Sequence, residues 1–127
     1  MSEWLRKGAA QGDANCQFTL GVEAMKRNPA EAMRWFLLAG NQGYAAAQDK
    51  IGLMYRDGLG VEKNAVQALM WFTLAATTSG QYFTPLRDAQ ALQMTPEQIE
   101  EAQRRAREWK PSKKKERTPG EPDGLSF

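Results

Sequence analysis

Apolar residues recur along most of this chain every three or four positions, which is the spacing of helices that bury one face. Glycine, proline and short polar segments interrupt the pattern and divide it into pieces of helix length. The pattern predicts helices at residues 2–11, 14–26, 29–40, 44–56, 65–78, about 85–92 and 96–109. We therefore expect an all-α fold.

Capping signals support these boundaries. Asn28 precedes Pro29, and an asparagine at that place can accept hydrogen bonds from the first backbone amides of a helix. Glu31 is positioned to reach back to the start of the same helix. Thr95 opens a second such signal, with proline next and Gln98 at the third position, which predicts a capping box.

The four tryptophans mark a repeat. Trp4, Trp35, Trp71 and Trp109 are separated by 31, 36 and 38 residues. Each of the last three has an alanine three positions earlier, and glycines close the first three units at Gly12, Gly43 and Gly80. Self-similarity at this period is typical of a solenoid of helical hairpins. We therefore interpret the tryptophans as core residues at matching points of successive helices.

Two glycines lie inside predicted helices. Gly21 and Gly52 each lower helix stability by about 1 kcal/mol relative to alanine, so close packing of a neighbour must compensate. We expect the tryptophan of the partner helix to occupy the space that each glycine leaves.

Residues 45–80 resemble the Sel-1-like repeat, a relative of the tetratricopeptide repeat. The residues that carry the resemblance are Ile51, Gly52, Tyr55, Gly58, Gly60, Val61, Asn64, Ala68, Trp71, Ala75, Ala76 and Gly80. Residues 13–43 match more loosely, because Ala24 replaces the tyrosine and five loop residues are missing, which predicts a tighter hairpin. Residues 2–12 look like a second helix without its first, and the segment ending at Trp109 looks like the ending of bacterial members.

The resemblance implies an all-α right-handed superhelix of about three stacked antiparallel hairpins over residues 2–110. It also implies protein–protein interaction, often as an adaptor, and provides no catalytic residues to transfer. Residues 111–127 lie outside the resemblance. This basic segment, rich in proline and glycine, has few apolar groups, so we expect it to be disordered.

Composition narrows the function. The chain has 127 residues, enough for one domain, and a net charge of +2 that arises entirely after residue 109. A neutral body argues against capture of nucleic acid, which needs clustered Lys and Arg. No apolar segment is long enough to span a membrane, and the start has no signal peptide. We expect a cytoplasmic protein if Met1 is the native start, whereas the location is unknown if the chain is a fragment.

Candidate chemistry is sparse. The chain contains no histidine and a single cysteine, Cys16, which therefore lacks an imidazole base and is interpreted as a buried thiol. One cysteine without histidine also makes a zinc site improbable. The loop from Asp57 to Gly60 lacks the Lys-Ser/Thr ending of a phosphate-binding loop. We expect no catalytic, cofactor-binding or metal-binding residues, and no enzyme activity.

The most informative functional positions lie on the first helix of each hairpin, which lines the concave face in stacked hairpins of this kind. Between the core positions of these helices fall Phe18, Val22, Asp49, Leu53 and Arg56, which are our candidates for contact with a partner protein or peptide. Phe18 and Leu53 have an alternative role, in packing between repeats.

A second function stays open. The chain could act as a regulatory subunit that dimerises through its N-terminal end and docks to nucleic acid or membrane by its basic tail. The outward side of Trp4 and Leu5 lacks the cover that a preceding helix would give. We expect either a longer parent chain or a homodimer at that end.

Overall fold

The structure, a computed structural model, describes residues 3–79 and 84–112, and all regular structure within these ranges is helical. The helices are α1 (Glu3–Ala10), α2 (Ala14–Met25), α3 (Pro29–Gly40), α4 (Ala45–Asp57), α5 (Ala65–Ser79), α6 (Thr84–Ala91) and α7 (Pro96–Glu108). Each predicted helix is therefore present, with ends within two residues of the predicted ones.

The helices stack as a right-handed superhelix of antiparallel hairpins. Helices α2 and α3 form one hairpin, and α4 and α5 form the next. Helix α1 packs on α2, α3 packs on α4, and α5 packs on both α6 and α7. Residues 26–28 connect the first hairpin, whereas residues 58–64 connect the second. The tighter first hairpin expected from the missing loop residues is confirmed.

Cap residues fix several helix starts. The Asn28 side chain accepts from the amides of Ala30 and Glu31 at 3.1 and 3.3 Å, and the Thr95–Gln98 capping box is complete. The predicted return of Glu31 to the helix start is wrong. Its carboxylate instead accepts from Trp35 Nε1 at 3.4 Å, because the indole lies one turn further along the same helix.

The buried tryptophans are Trp35 and Trp71, which are 8% and 5% exposed. Contrary to the prediction, the tryptophans do not fill the space beside the helical glycines. A Cβ atom on Gly21 would lie 2.5 Å from the Phe36 ring, and one on Gly52 would lie 2.5 Å from the Phe72 ring. Each glycine therefore accommodates the phenylalanine that follows the tryptophan, because that side chain faces the first helix of its own hairpin.

Two buried glutamines join successive hairpins. Gln17 Nε2 donates to the carbonyl oxygen of Ala9 at 3.1 Å, and Gln48 Nε2 donates to that of Gly40 at 3.0 Å. Both side chains are fully buried and hold the same place in their repeats. Each glutamine ties a first helix to the end of the preceding second helix, and thereby sets the position of α2 and α4.

Glycines shape the loop between α4 and α5. Gly58 has φ +72° and its amide closes α4 by donating to Met54, a left-handed conformation that favours glycine. Gly60 has φ +73°, and a Cβ there would lie 2.6 Å from the backbone of Pro29. The loop thus packs against the start of α3. Nearby, Tyr55 is half-buried against the core and Ala68 is fully buried.

The turns that close the first two units also agree with the prediction. Gly12 and Gly43 both have φ +94°. Gly80, the predicted closing residue of the third unit, lies outside the described residues.

The two ends of the described chain differ. Trp109 is half-buried, its ring centroid lies 6.4 Å from that of Trp71, and its Nε1 donates to Asn41 Oδ1 at 3.3 Å. Trp4 is 68% exposed, so its interpretation as a core residue is wrong, since no preceding helix among the described residues covers it. The predicted tail is described only at residues 111–112, where the Ser112 amide donates to Asn41. The rest of the predicted tail lies outside the described residues.

Candidate partner-binding surface

The five predicted contact residues lie on two equivalent helices. Phe18 and Val22 are on α2, whereas Asp49, Leu53 and Arg56 are on α4. Phe18 matches Asp49, and Val22 matches Leu53, with the same offset that relates Trp4 to Trp35. Spacings of four and seven residues place the members of each helix on one face. The structure nevertheless gives them different surroundings.

Phe18 is part of the packing between hairpins. Its ring lies 5.7 Å from Phe36 and 5.3 Å from Tyr44, measured between centroids, and both pairs are tilted. Tyr44 precedes α4 and its hydroxyl donates to Asn15 Oδ1 at 3.3 Å. This aromatic cluster joins α2 and α3 to the start of α4, which is the alternative role that the sequence left open for Phe18.

Val22 and Leu53 are the apolar members that reach the surface. Val22 is 39% exposed, and Leu53 is half-buried. Their matching positions place one accessible aliphatic side chain on each of two successive first helices. Such a pair offers a partner two apolar contacts at the repeat spacing.

Asp49 is not the exposed residue that we predicted. Its side chain is only 9% exposed, and Oδ1 has no hydrogen-bond partner in the described part of the chain. Burial raises the pKa of the Asp49 carboxyl, and this outweighs the opposing fields of Lys50 and Arg56. The packing around α4 covers this position, whereas the sequence pattern placed it among the exposed residues between the core positions.

Arg56 lies at the end of α4 and is engaged by its neighbour. Its Nε and Nη2 donate to Oδ1 and Oδ2 of Asp57 at 2.9 and 3.0 Å. This two-point hydrogen bond raises the pKa of Arg56 and lowers that of Asp57. Arg56 therefore stays charged, with part of its charge balanced within the chain.

A cleft of about 560 Å³ adjoins Arg56. It lies between the end of α4, the following loop and α6. Its lining comprises Arg56, Asp57, Lys63, Ala65, Gln90 and Gln93. Lys63, Gln90 and Gln93 are not among the predicted contact residues. No local signal marks them, because the cleft forms only when α6 packs near the end of α4.

The described residues give little indication of a metal site or of a catalytic nucleophile. They contain no cluster of three or more metal-ligating side chains. The Cys16 side chain is buried beside Gly8, and burial raises the pKa of the thiol. The protonated form is thereby favoured, so Cys16 is poorly suited to be a nucleophile.

Comparison with known proteins identifies the repeat. The sequence model described as Sel1 repeat matches residues 3–13, 18–44 and 45–77, which together make up more than half of the chain. The chain belongs to the Sel1 repeat family. The Sel1 matches divide the chain as the structure does, since residues 45–77 contain α4 and nearly all of α5. Residues 3–13 contain α1 and no preceding helix.

Relatives of this Sel1 repeat protein are longer. The chain is 35% identical to c5321, a protective antigen of uropathogenic Escherichia coli displaying an SLR fold, with a TM-score of 0.79 over 84% of this chain. It is 37% identical over 60 residues, 46% of this chain, to the chitin synthase regulator SKT5 of Saccharomyces cerevisiae. The chain spans 24% of the antigen and 9% of the regulator.

Sel1 repeats generally serve as scaffolds for protein–protein interaction, typically without catalytic activity. Within residues 3–79 and 84–112, no helix is both long and apolar enough to cross a lipid bilayer.

Proposed function

We propose that this chain is a protein-binding scaffold whose partner contacts the face formed by the first helices α2 and α4. The observation that carries the proposal is the matched pair Val22 and Leu53, two accessible aliphatic side chains at one repeat position. Their helices are fixed by the buried bonds of Gln17 and Gln48, so a partner meets contacts at a defined spacing. A preorganised surface loses less entropy on binding.

Membership of the Sel1 repeat family supports a protein-binding role, and the residues of the cleft favour binding over catalysis. General acid–base catalysis needs paired titratable groups in a cleft. In the described cleft beside α4, the acidic member is Asp57, which is already held by Arg56. A binding role accounts better for the arrangement, because an apolar pair beside a charged cleft is the composition expected of a small interface.

The test is affinity capture of partners from the native host with the wild-type chain and two variants. Val22→Glu combined with Leu53→Glu should abolish capture while leaving the helical circular dichroism unchanged, because neither side chain is fully buried. The matched control is Arg34→Glu, an exposed position on the second helix α3. The proposal fails if the control loses the partner and the double variant keeps it.

A second candidate function is self-association through α1, and one observation favours it. Trp4 is 68% exposed, and it lines an open cleft with Glu3, Arg6 and Lys7. An exposed indole next to a cleft is a candidate for burial against another chain. Light scattering across a concentration series tests this: a dimer that Trp4→Glu converts to a monomer supports it, and a concentration-independent monomer contradicts it.

A further inference from the structure

The cleft at the end of α4 contains one side chain whose state is unusual. Gln90, on α6, is only 6% exposed, and its side-chain amide, which is not fully enclosed, reaches the open space of the cleft. A polar group that reaches the inside of a cleft can bond to water there, and a ligand that replaces this water must offer an equivalent hydrogen bond. Because Gln90 lines the cleft, a molecule inside the cleft can take the place of that water.

The charges around Gln90 indicate which kind of molecule this is. The cleft has two cations, Arg56 and Lys63, and one anion, Asp57. Asp57 is bonded to Arg56 through both oxygens, and Asp49 adds a weaker attraction on the same guanidinium. Lys63 makes no salt bridge within the described ranges and acts on Asp57 only through a weaker field, so its ammonium can still bond to a ligand in the cleft.

The other polar groups that line the cleft can all donate hydrogen bonds to a carboxylate. The ammonium of Lys63 donates only, and the side-chain amides of Gln90 and Gln93 can each present an N–H₂ group. Three donor groups around one open space suit an acceptor with two oxygens. A carboxylate fits this requirement better than a cation or a neutral apolar group.

The position of the cleft favours a polypeptide as the source of that carboxylate. Leu53 lies one helical turn before Arg56 on α4, so the accessible aliphatic pair and the cleft belong to neighbouring parts of one surface. A volume of about 560 Å³ exceeds the space needed for a single carboxylate. An extended segment could place an apolar side chain near Leu53 and an acidic one in the cleft.

We propose that this cleft recognises an acidic side chain of the partner polypeptide, next to an apolar residue that contacts Leu53. Lys63 supplies the charge, and Gln90 and Gln93 donate hydrogen bonds to the carboxylate oxygens. The proposal deepens the scaffold function above and rests on it, since it gives the chemistry of the segment that the first-helix face binds.

The test uses an acetylated and amidated peptide of repeated Leu-Glu-Gly units, together with a matched peptide in which lysine replaces glutamate. Nuclear magnetic resonance follows the side-chain amide signals of Gln90 and Gln93 in the whole chain. The acidic peptide should shift both signals, and the lysine peptide should leave them unchanged. Added salt should weaken the binding, because an ion pair contributes to it.

Variants locate the effect. Lys63→Gln and Gln93→Ala are exposed changes, and each should weaken binding of the acidic peptide roughly tenfold, the effect of losing one charge-assisted hydrogen bond. Lys26→Gln, an exposed lysine after α2, is the matched control and should leave the affinity unchanged. Gln90→Met tests the buried group, and its melting temperature shows whether the fold is kept.

Three results would overturn the proposal. One is equal binding of the two peptides, and another is acidic binding that Lys63→Gln does not weaken. Inorganic phosphate shifting the same signals at lower concentration than the peptide would assign the cleft to a free oxyanion. If a captured native partner depends on Val22 and Leu53 but not on Lys63, the scaffold function stands while this inference fails.

Discussion

The two glutamines that join the hairpins differ in one respect, and this difference predicts opposite effects of the same substitution. Gln17 is fully bonded: its Nε2 donates to Ala9, and its Oε1 accepts from Gln42 Nε2 at 2.8 Å. Gln48 makes the corresponding bond to Gly40, but its buried Oε1 has no partner. We therefore consider Gln17→Met and Gln48→Met, which keep side-chain length and remove the amide.

The expected magnitudes follow from the hydrogen bonds. A buried hydrogen bond contributes about 1 kcal/mol net, and an unsatisfied buried polar atom costs about 1–3 kcal/mol. Gln17→Met loses two bonds and should lower the free energy of unfolding by about 2 kcal/mol. Gln48→Met loses one bond but removes the unpaired oxygen, so it should range from neutral to about 2 kcal/mol stabilising.

Neither substitution leaves a new unpaired carbonyl. The oxygen of Ala9 still accepts from the Gly12 amide at 3.0 Å, and that of Gly40 still accepts from the Gly43 amide at 2.9 Å. The two variants therefore isolate the side-chain bonds. Because methionine is flexible and similar in size to glutamine, repacking should add little to either value.

The assay is urea denaturation followed by tryptophan fluorescence, with thermal melting as a second measurement. A change of 1 kcal/mol should move the melting temperature by roughly 4 °C. The melting temperature should fall for Gln17→Met and stay level or rise for Gln48→Met. The reasoning is refuted if Gln48→Met destabilises the chain as much as Gln17→Met does.

Three further predictions concern packing, charge and exposure. Gly52→Leu should cost about 1–3 kcal/mol of stability because the phenylalanine ring against it cannot move away, whereas Gln67→Leu should cost much less. An unchanged melting temperature for Gly52→Leu would contradict the packing. The raised pKa of Asp49 means that its contribution to stability is present below the ordinary carboxyl pKa of about 3.9 and is lost as pH rises through the raised value. The unfolding free energy of wild type relative to Asp49→Asn should therefore fall as pH rises above about 4, and a constant difference in urea melts would argue against it. Trp4→Ser should change stability by no more than about 0.5 kcal/mol, because Trp4 is exposed. Trp35→Ala should cost about 3–5 kcal/mol, because Trp35 is buried. Equal melting temperatures of the two variants would contradict this difference in burial.

The sequence predicted the helices well because the signals for them are local. Asn28 before proline and the Thr95–Gln98 pair act within one turn, and each forms the predicted cap. The prediction that Glu31 bonds back to the start of α3 was wrong for a local reason too. The indole of Trp35, one turn away, donates to the Glu31 carboxylate instead.

Which large side chain faces a glycine could not be predicted in the same way. Phe72 directly follows Trp71, and adjacent residues point about 100° apart on a helix. The amphipathic pattern marks both as buried, and only the rotation of the second helix against the first decides that the phenylalanine meets Gly52. That rotation is a property of tertiary packing.

The candidate surface was predicted in part. The accessibility of Val22 and Leu53 follows from the repeat pattern, which marks them as lying between core positions, whereas their contact with a partner stays a prediction. Lys63 and Gln90 were missed because they come together only when α6 packs on α5 and thereby faces the end of α4 across the cleft. Gln17 and Gln48 carried a usable signal: a polar residue at the same place in both repeats, on the buried face.

The central claim is that a partner contacts the first-helix face, and site-specific photo-crosslinking in the native host tests it most directly. The photoreactive amino acid p-benzoylphenylalanine is placed at Val22 in one variant and at Arg34 in another, so that each exposed position reports its own surroundings. The account predicts a covalent adduct with a discrete protein from position 22 and none from position 34. An adduct from position 34 with none from position 22 would contradict it.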